Sequence, residues 1–231
     1  MDSGTLIRGA VIVAGGSGQR MGGGIPKQFL PLGAAGKPVI VHTVERFLAA
    51  MPEGSPVVVV MAAGEMERWE AIAREWGVWD RVSTCEGGQM RFESVKNGLQ
   101  AIECHMVAIH DAVRPLVSRA LIGRVFGKAE KDDVAVPCVR PVDSFRTEDD
   151  MGHTHPCDRS ALMAVQTPQA FSFNTIRKAY QMPCDPRFTD DASVWEAFGR
   201  RVHICEGELQ NIKITTQADM IVAGAFIDAG Y

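Results

Sequence analysis

The apolar residues of this 231-residue chain fall into short runs that recur along most of its length. Residues 10–13, 57–61, 82–85, 106–110, 134–137 and 202–205 are rich in valine, isoleucine and other apolar side chains. Runs of this length, bounded by turn residues, read as buried strands. Between them, apolar positions recur at helical period over 39–49, 65–76, 93–102 and 121–129. Strands alternating with helices predict an α/β, Rossmann-like fold: a mostly parallel sheet with helices on both faces. Crossovers should be right-handed. Ligands of such sheets bind at the carboxyl ends of the strands.

Residues 140–156 break the pattern. They hold Pro141, the acidic run Glu148-Asp149-Asp150, Gly152 and two histidines, with little helical period. The segment is too long for an ordinary connection and reads as a projecting arm inserted into a single domain spanning 1–231. Thr216-Gln217-Ala218-Asp219 resembles a capping box and opens a closing helix to about residue 229.

Composition narrows the partners. A formal net charge of −4 gives no basic footprint for nucleic acid. No apolar run approaches the length of a membrane span, and Met1 to Arg8 lacks the apolar stretch of a signal peptide. Six dispersed cysteines without a C-x-x-C pair read as reduced thiols of a cytoplasmic protein. His153-x-His155-x-Cys157 lacks a fourth ligand at zinc spacing and reads as exposed arm. Trp69, Trp76 and Trp79 read as packing.

The chemistry begins where the first strand ends. Ala14-Gly15-Gly16-Ser17-Gly18-Gln19-Arg20-Met21 is followed by Pro26-Lys27-Gln28. Clustered glycines let the backbone approach a ligand, and their amides form an anion nest. Arg20 and Lys27 place two cations beside it, as a triphosphate requires. The loop does not spell a P-loop, because no Gly-Lys-Ser or Gly-Lys-Thr follows. It lacks the third glycine of the dinucleotide fingerprint and the last glycine of the serine-hydrolase elbow.

In its spelling, A-x-G-x-G-x-R-M followed by P-K-Q, the loop resembles the nucleotidyltransferases. Within them the chain is similar to the 2-C-methyl-D-erythritol 4-phosphate cytidylyltransferase family of the non-mevalonate isoprenoid pathway. Six later blocks carry the resemblance: Gly87-Gly88-x-x-Arg91-x-x-Ser94-Val95, Ile109 to Pro115, Asp158-Arg159, Gln166-Thr167-Pro168-Gln169, Thr189 to Ser193, and Asn211-Ile212-Lys213-Ile214-Thr215. The resemblance implies transfer of CMP from CTP to a methylerythritol phosphate, with magnesium or another divalent cation as cofactor. Direct metal ligands are left open. It implies catalytic roles for Arg20 and Lys27 on the α-phosphate and the leaving pyrophosphate. Nucleotide contacts are implied for Ala14, Gly15, Gly16, Ser17, Gly18, Gly88, Gln89, Ser94, Asp111 and Ala112. Backbone groups of the 87–94 loop, with Ser94, should select cytosine. Acceptor contacts are implied for Asp111, Arg114, Ser144, Arg159, Thr167, Thr189 and Lys213. The family's arm clasps the second subunit of a homodimer and carries Arg159 to its acceptor phosphate.

Read from the residues alone, several roles stay double. Asp111 could orient a hydroxyl, help hold magnesium, or cap a turn. Arg114 could bind phosphate or pair with Asp111. Val113 stands where the family usually has alanine, and Ser144 where it usually has threonine. Two rival functions remain: a ribitol-5-phosphate cytidylyltransferase, which acceptor residues would distinguish, and a non-catalytic nucleotide-binding module, which the intact Arg20, Lys27 and Asp111 disfavour.

Overall fold

Valine-rich β1 (Arg8–Val13) lies inside the sheet, hydrogen-bonded on one side to β4 (Val57–Met61) and on the other to β6 (Met106–Asp111). This computed structural model describes residues 6–15 and 24–231. β5 (Ser83–Glu86) continues the sheet beyond β4. Beyond β6 comes β11 (Gln169–Ser172), antiparallel, and then β7 (Val134–Val139). β7 also pairs with β10 (Ala164–Val165), antiparallel, and with β12 (Ile204–Glu206), parallel. Of these eight strands only β10 and β11 run against the rest. Two-residue strands β2 (Pro31–Leu32) and β3 (Lys37–Pro38) form a separate pair.

Both faces of the sheet are covered because its apolar residues alternate. Ala10, Ile12, Val57, Val59 and Met61 pack against α1 (Val39–Ala50), α2 (Met66–Glu75) and α4 (Arg119–Asp132). Val11, Val58 and Val60 face the other way, onto α3 (Arg91–Gln100) and, further along the sheet, α5 (Phe173–Ala179) and α6 (Asp191–Ala197). α3 comes unusually close: a Cβ on Gly98 would lie 2.5 Å from Val11 and 2.7 Å from Val60. Only glycine permits that approach. The tryptophans are packing: Trp69 is buried in the first core, with Trp76 and Trp79 against it. The closing helix α7 (Gln217–Asp228) is capped by Thr216, with Asp219 reaching back to the Thr216 amide.

The arm is a hairpin. β8 (Phe145–Glu148) pairs with β9 (Thr154–Cys157), and Asp149 holds the turn by accepting from the amides of Met151 and His153. Its apolar residues Val142, Phe145 and Met151 are exposed. Among the described residues, no helix is long and apolar enough to cross a membrane.

The two-residue strands β2, β3 and β10 were not anticipated, and neither were β11, α5 and α6. β11 has four residues and begins with Gln169, polar yet fully buried, so the alternation fails there. α5 and α6 have seven residues each, two turns, too few to show a period.

Candidate active site

The chain reverses its position in the sheet at β1, with the next strand on one side and β6 on the other. A crevice at the carboxyl end of such a switch point is the ligand site of an open α/β sheet. The glycine loop leaves β1 there. Gly16, Ser17, Gly18 and Arg20 lie outside the described residues, whereas Ala14, Gly15 and Lys27 lie within them. Lys27 opens a single 3₁₀ turn, Lys27–Phe29, after Pro26. Buried Gln28 donates from Nε2 to the Ala14 carbonyl at 3.0 Å and so ties that turn to the end of β1. Ala14 also donates its amide to Val60. Ala112 is equally fixed, with its amide on Val13 and its carbonyl accepting from Thr43.

Gly15 stands against the next loop: a Cβ there would lie 3.1 Å from Ser94 Oγ. In that loop the amide of Gly87 donates to Met61 and that of Gly88 to Ser94 Oγ. Gln89 and Met90 both donate their amides to the Glu93 carboxylate. A Cβ on Gly88 would lie 2.2 Å from that of Glu93, so the turn requires glycine. In this structure these N–H groups are bonded inside the loop, and the Ser94 hydroxyl lies against the Gly88 amide and the Met90 carbonyl.

Beside this loop lies a cleft of about 260 Å³. Arg91, Asp111, Arg114, Gln166, Thr167, Thr189 and Lys213 line it, drawn from five stretches of the chain. Asp111 ends β6 and faces three cations: Lys213 Nζ at 3.0 Å, Arg114 Nε at 3.4 Å and Arg91 Nε at 3.6 Å. Burial alone would raise its carboxyl, but Arg91, Lys213 and Arg114 more than offset that and hold it below the usual carboxylate range. Asp111 is thus an ionised acceptor in the cleft rather than a turn cap. Arg114 is mostly buried and donates from Nη1 to the Asn211 carbonyl, so pairing is its structural duty even where it borders the cleft. Asn211, buried, also donates to the Thr167 carbonyl, which anchors the segment that delivers Lys213.

The Thr167 hydroxyl has work of its own. It accepts from the Asp111 amide and lies 3.0 Å from His110 Nδ1. Its proton is the one available to that nitrogen when His110 Nε2 carries the other and donates to the Arg114 carbonyl. Thr167 thus lines the cleft with its hydroxyl bonded to the Asp111 amide and to His110. Thr189 lines the cleft from the approach to α6; Ser193 Oγ accepts from its amide. Gln169 steadies that approach, donating to Asp190 and accepting from the Ala192 amide.

Two predicted residues are elsewhere. Ser144 is exposed at the base of the hairpin. Arg159, also exposed, donates to the Val142 carbonyl. Neither lines the cleft of its own chain. Arg91, Gln166, Gln169 and Asp191 were missed as individual site residues. Their blocks were visible, but nothing in a sequence indicates that a charged residue such as Asp191 will be fully buried.

His110 carries a prediction. It is completely buried, and that burial pushes its pKa from 6.5 down to about 3. Between those values the unfolded chain binds a proton that the native chain does not. Stability is therefore full above pH 6.5 and falls as the solution is acidified, approaching about 1.4 kcal/mol per pH unit for this group. Urea unfolding at pH 6.5 and 5 should reveal a loss of up to about 2 kcal/mol from His110. The drop should shrink by that much in His110→Gln; equal drops in both proteins would refute the assignment.

Comparison with known proteins agrees with this geometry. The model of the family "IspD: 2-C-methyl-D-erythritol 4-phosphate cytidylyltransferase" matches residues 9–229. A 2-C-methyl-D-erythritol 4-phosphate cytidylyltransferase from Bacteroides fragilis is 40% identical over 223 residues, covering 96% of this chain and all of that protein. One from Porphyromonas gingivalis is 42% identical, covering 94% and 96%. The crystal structure of 4-diphosphocytidyl-2C-methyl-D-erythritol synthase from Anaerococcus prevotii is 26% identical, with a TM-score of 0.79 over 96% of this chain and 98% of that one.

Proposed function

The chain belongs to the 2-C-methyl-D-erythritol 4-phosphate cytidylyltransferase family, and from that premise we propose that it transfers CMP from CTP to 2-C-methyl-D-erythritol 4-phosphate. The products are 4-diphosphocytidyl-2-C-methyl-D-erythritol and pyrophosphate. The observation that carries the reading in this chain is the cation-lined cleft at the end of β6, the strand that pairs with β1.

An oxygen of the acceptor phosphate attacks the α-phosphorus of CTP. The bond from that phosphorus to the pyrophosphate oxygen breaks, and its electron pair leaves with pyrophosphate. No covalent enzyme intermediate is needed. Catalysis is then positioning and charge stabilisation. Arg20 and Lys27 offset charge on the α-phosphate and leaving group. Lys213 is half-exposed and meets the acceptor phosphate; Asp111 accepts from a substrate hydroxyl. Backbone groups of the 87–94 loop, with Ser94, meet the cytosine edge.

Magnesium or another divalent cation fits this site. Among the described residues no cluster of three or more His, Cys, Asp or Glu could hold a metal unaided. A magnesium held mostly by substrate phosphates needs only one or two carboxylates, and ionised Asp111 is a suitable one. When bound, the ion would neutralise charge on the triphosphate.

The whole chain acts as one nucleotidyltransferase unit, with the arm at 140–156 clasping a second copy. The exposed apolar residues of the hairpin and the distance of Arg159 from its own cleft support that. Six unpaired cysteines are consistent with a cytoplasmic setting.

Pyrophosphate release with CTP, ATP, GTP and UTP, each supplied with methylerythritol and ribitol phosphates, tests the reading. CTP with methylerythritol 4-phosphate should be favoured by about 10²-fold or more, because a site built for one base edge leaves polar groups unpaired against another. Equal use of a purine nucleotide, or preference for the ribitol phosphate, would overturn it.

A further inference from the structure

We propose that Arg91 is a positioning residue which, through its pair with buried Asp191, makes the nucleotide loop and the acceptor cleft tighten together. The inference rests on the functional reading above. Arg91 is the first residue of α3, directly after the loop of Gly87 to Met90, and Ser94 stands one turn further on. Its guanidinium reaches across to the first residue of α6: Nη1 donates to Asp191 Oδ1 at 2.8 Å and Nη2 to Oδ2 at 2.7 Å. Asp191 is fully buried, and the Tyr180 hydroxyl donates to its Oδ1 at 2.5 Å.

With both terminal nitrogens committed, Nε is left facing Asp111 Oδ1 at 3.6 Å, a charge contact longer than a hydrogen bond. One side chain therefore belongs rigidly to the loop helix, forms a wall of the cleft, and meets the carboxylate that holds Lys213. α6, its other anchor, begins beside Thr189 and Asp190, both of which line the cleft.

Stability is a weak reason for this arrangement. Desolvating a buried ion pair offsets most of its attraction, and an apolar pair of similar volume would pack as well. A planar fork gripping a carboxylate at two points fixes orientation as well as distance. Any movement of α3 as CTP fills the loop is thus passed to α6, Thr189 and Asp111. Lysine keeps the charge but not the fork, so it cannot transmit orientation.

The test is steady-state kinetics with CTP and 2-C-methyl-D-erythritol 4-phosphate, each varied at saturating levels of the other, with thermal melting alongside. Arg91→Lys and Asp191→Asn should each raise both KM values by about fivefold or more, with kcat altered less. The double variant should be no worse than the worse single, because both act through one contact. Tyr180→Phe, which leaves the ion pair and removes one bond to Asp191, should move both KM values in the same direction by less. If either ion-pair variant fails to fold, Tyr180→Phe carries the test. Movement of one KM only, a fall in kcat alone, or additive losses would overturn the proposal. Wild-type chain that releases no pyrophosphate from CTP would overturn the functional reading and this inference with it; active wild type with unmoved KM values overturns the inference alone.

Discussion

Replacing Lys27 by alanine should lower turnover about 10²–10³-fold while leaving the fold intact, and Arg20→Ala should do the same. The transferred phosphorus passes through a crowded, highly anionic state. A charge already in place when that state forms costs nothing to reorganise, and removing one such donor typically costs about 2.7–4 kcal/mol of barrier. Lys27 is well placed for this duty because its turn is pinned from below. Gln28 grips the Ala14 carbonyl and Phe29 is buried in the core, so the lysine is held at the exit of β1 by its neighbours. For the same reason its loss should not unravel the turn. Pyrophosphate release, with melting curves as the control, checks both variants. Turnover near the wild-type level in both would remove the catalytic assignment.

Mixing two dead proteins should restore activity. If Arg159 serves the second subunit's cleft, a dimer of one Lys27→Ala chain and one Arg159→Ala chain has one site with both defects and one with neither. Random pairing of equal amounts should recover roughly one quarter of wild-type activity. The motive is geometric. Arg159 donates to the Val142 carbonyl at the base of the hairpin and does not line its own cleft. Arg140 makes a matching bond to the Ser160 carbonyl, so the two crossed arginines stiffen the root of the arm. A stiff root lets a hairpin project rather than fold back. No recovery, in mixtures shown to exchange subunits, would place Arg159 in its own chain's chemistry or outside the reaction.

Much of this was legible in the residues. Central strands announced themselves because both faces are buried, which makes them continuous apolar runs. The helices with ten or more residues showed their period, and the Thr216 box matched its helix start. The glycine loop and the Asp111 block were readable because their chemistry depends on local spelling. What could not be read depends on distance along the chain. Asp111 meets Lys213 and Arg91 meets Asp191 across about a hundred residues, and no local pattern records such a pairing. The bond between Thr167 and His110 joins residues 57 positions apart, which the spelling of neither block records. Nor does the spelling of the 87–94 loop show that its amides bond to Glu93 and Ser94.

The antiparallel wedge of β11 has a consequence during synthesis. β6 ends at Asp111, but the strand that covers its outer edge ends at Ser172. At about 5–20 residues per second, a ribosome takes roughly 3–12 s to make the intervening stretch. β7 emerges sooner, yet its place is on the far side of β11. Throughout that interval the nascent chain carries a bare, largely apolar edge able to template pairing with another polypeptide. Chaperone demand for this protein should therefore peak while the arm is being translated and fall once residue 172 has cleared the exit tunnel.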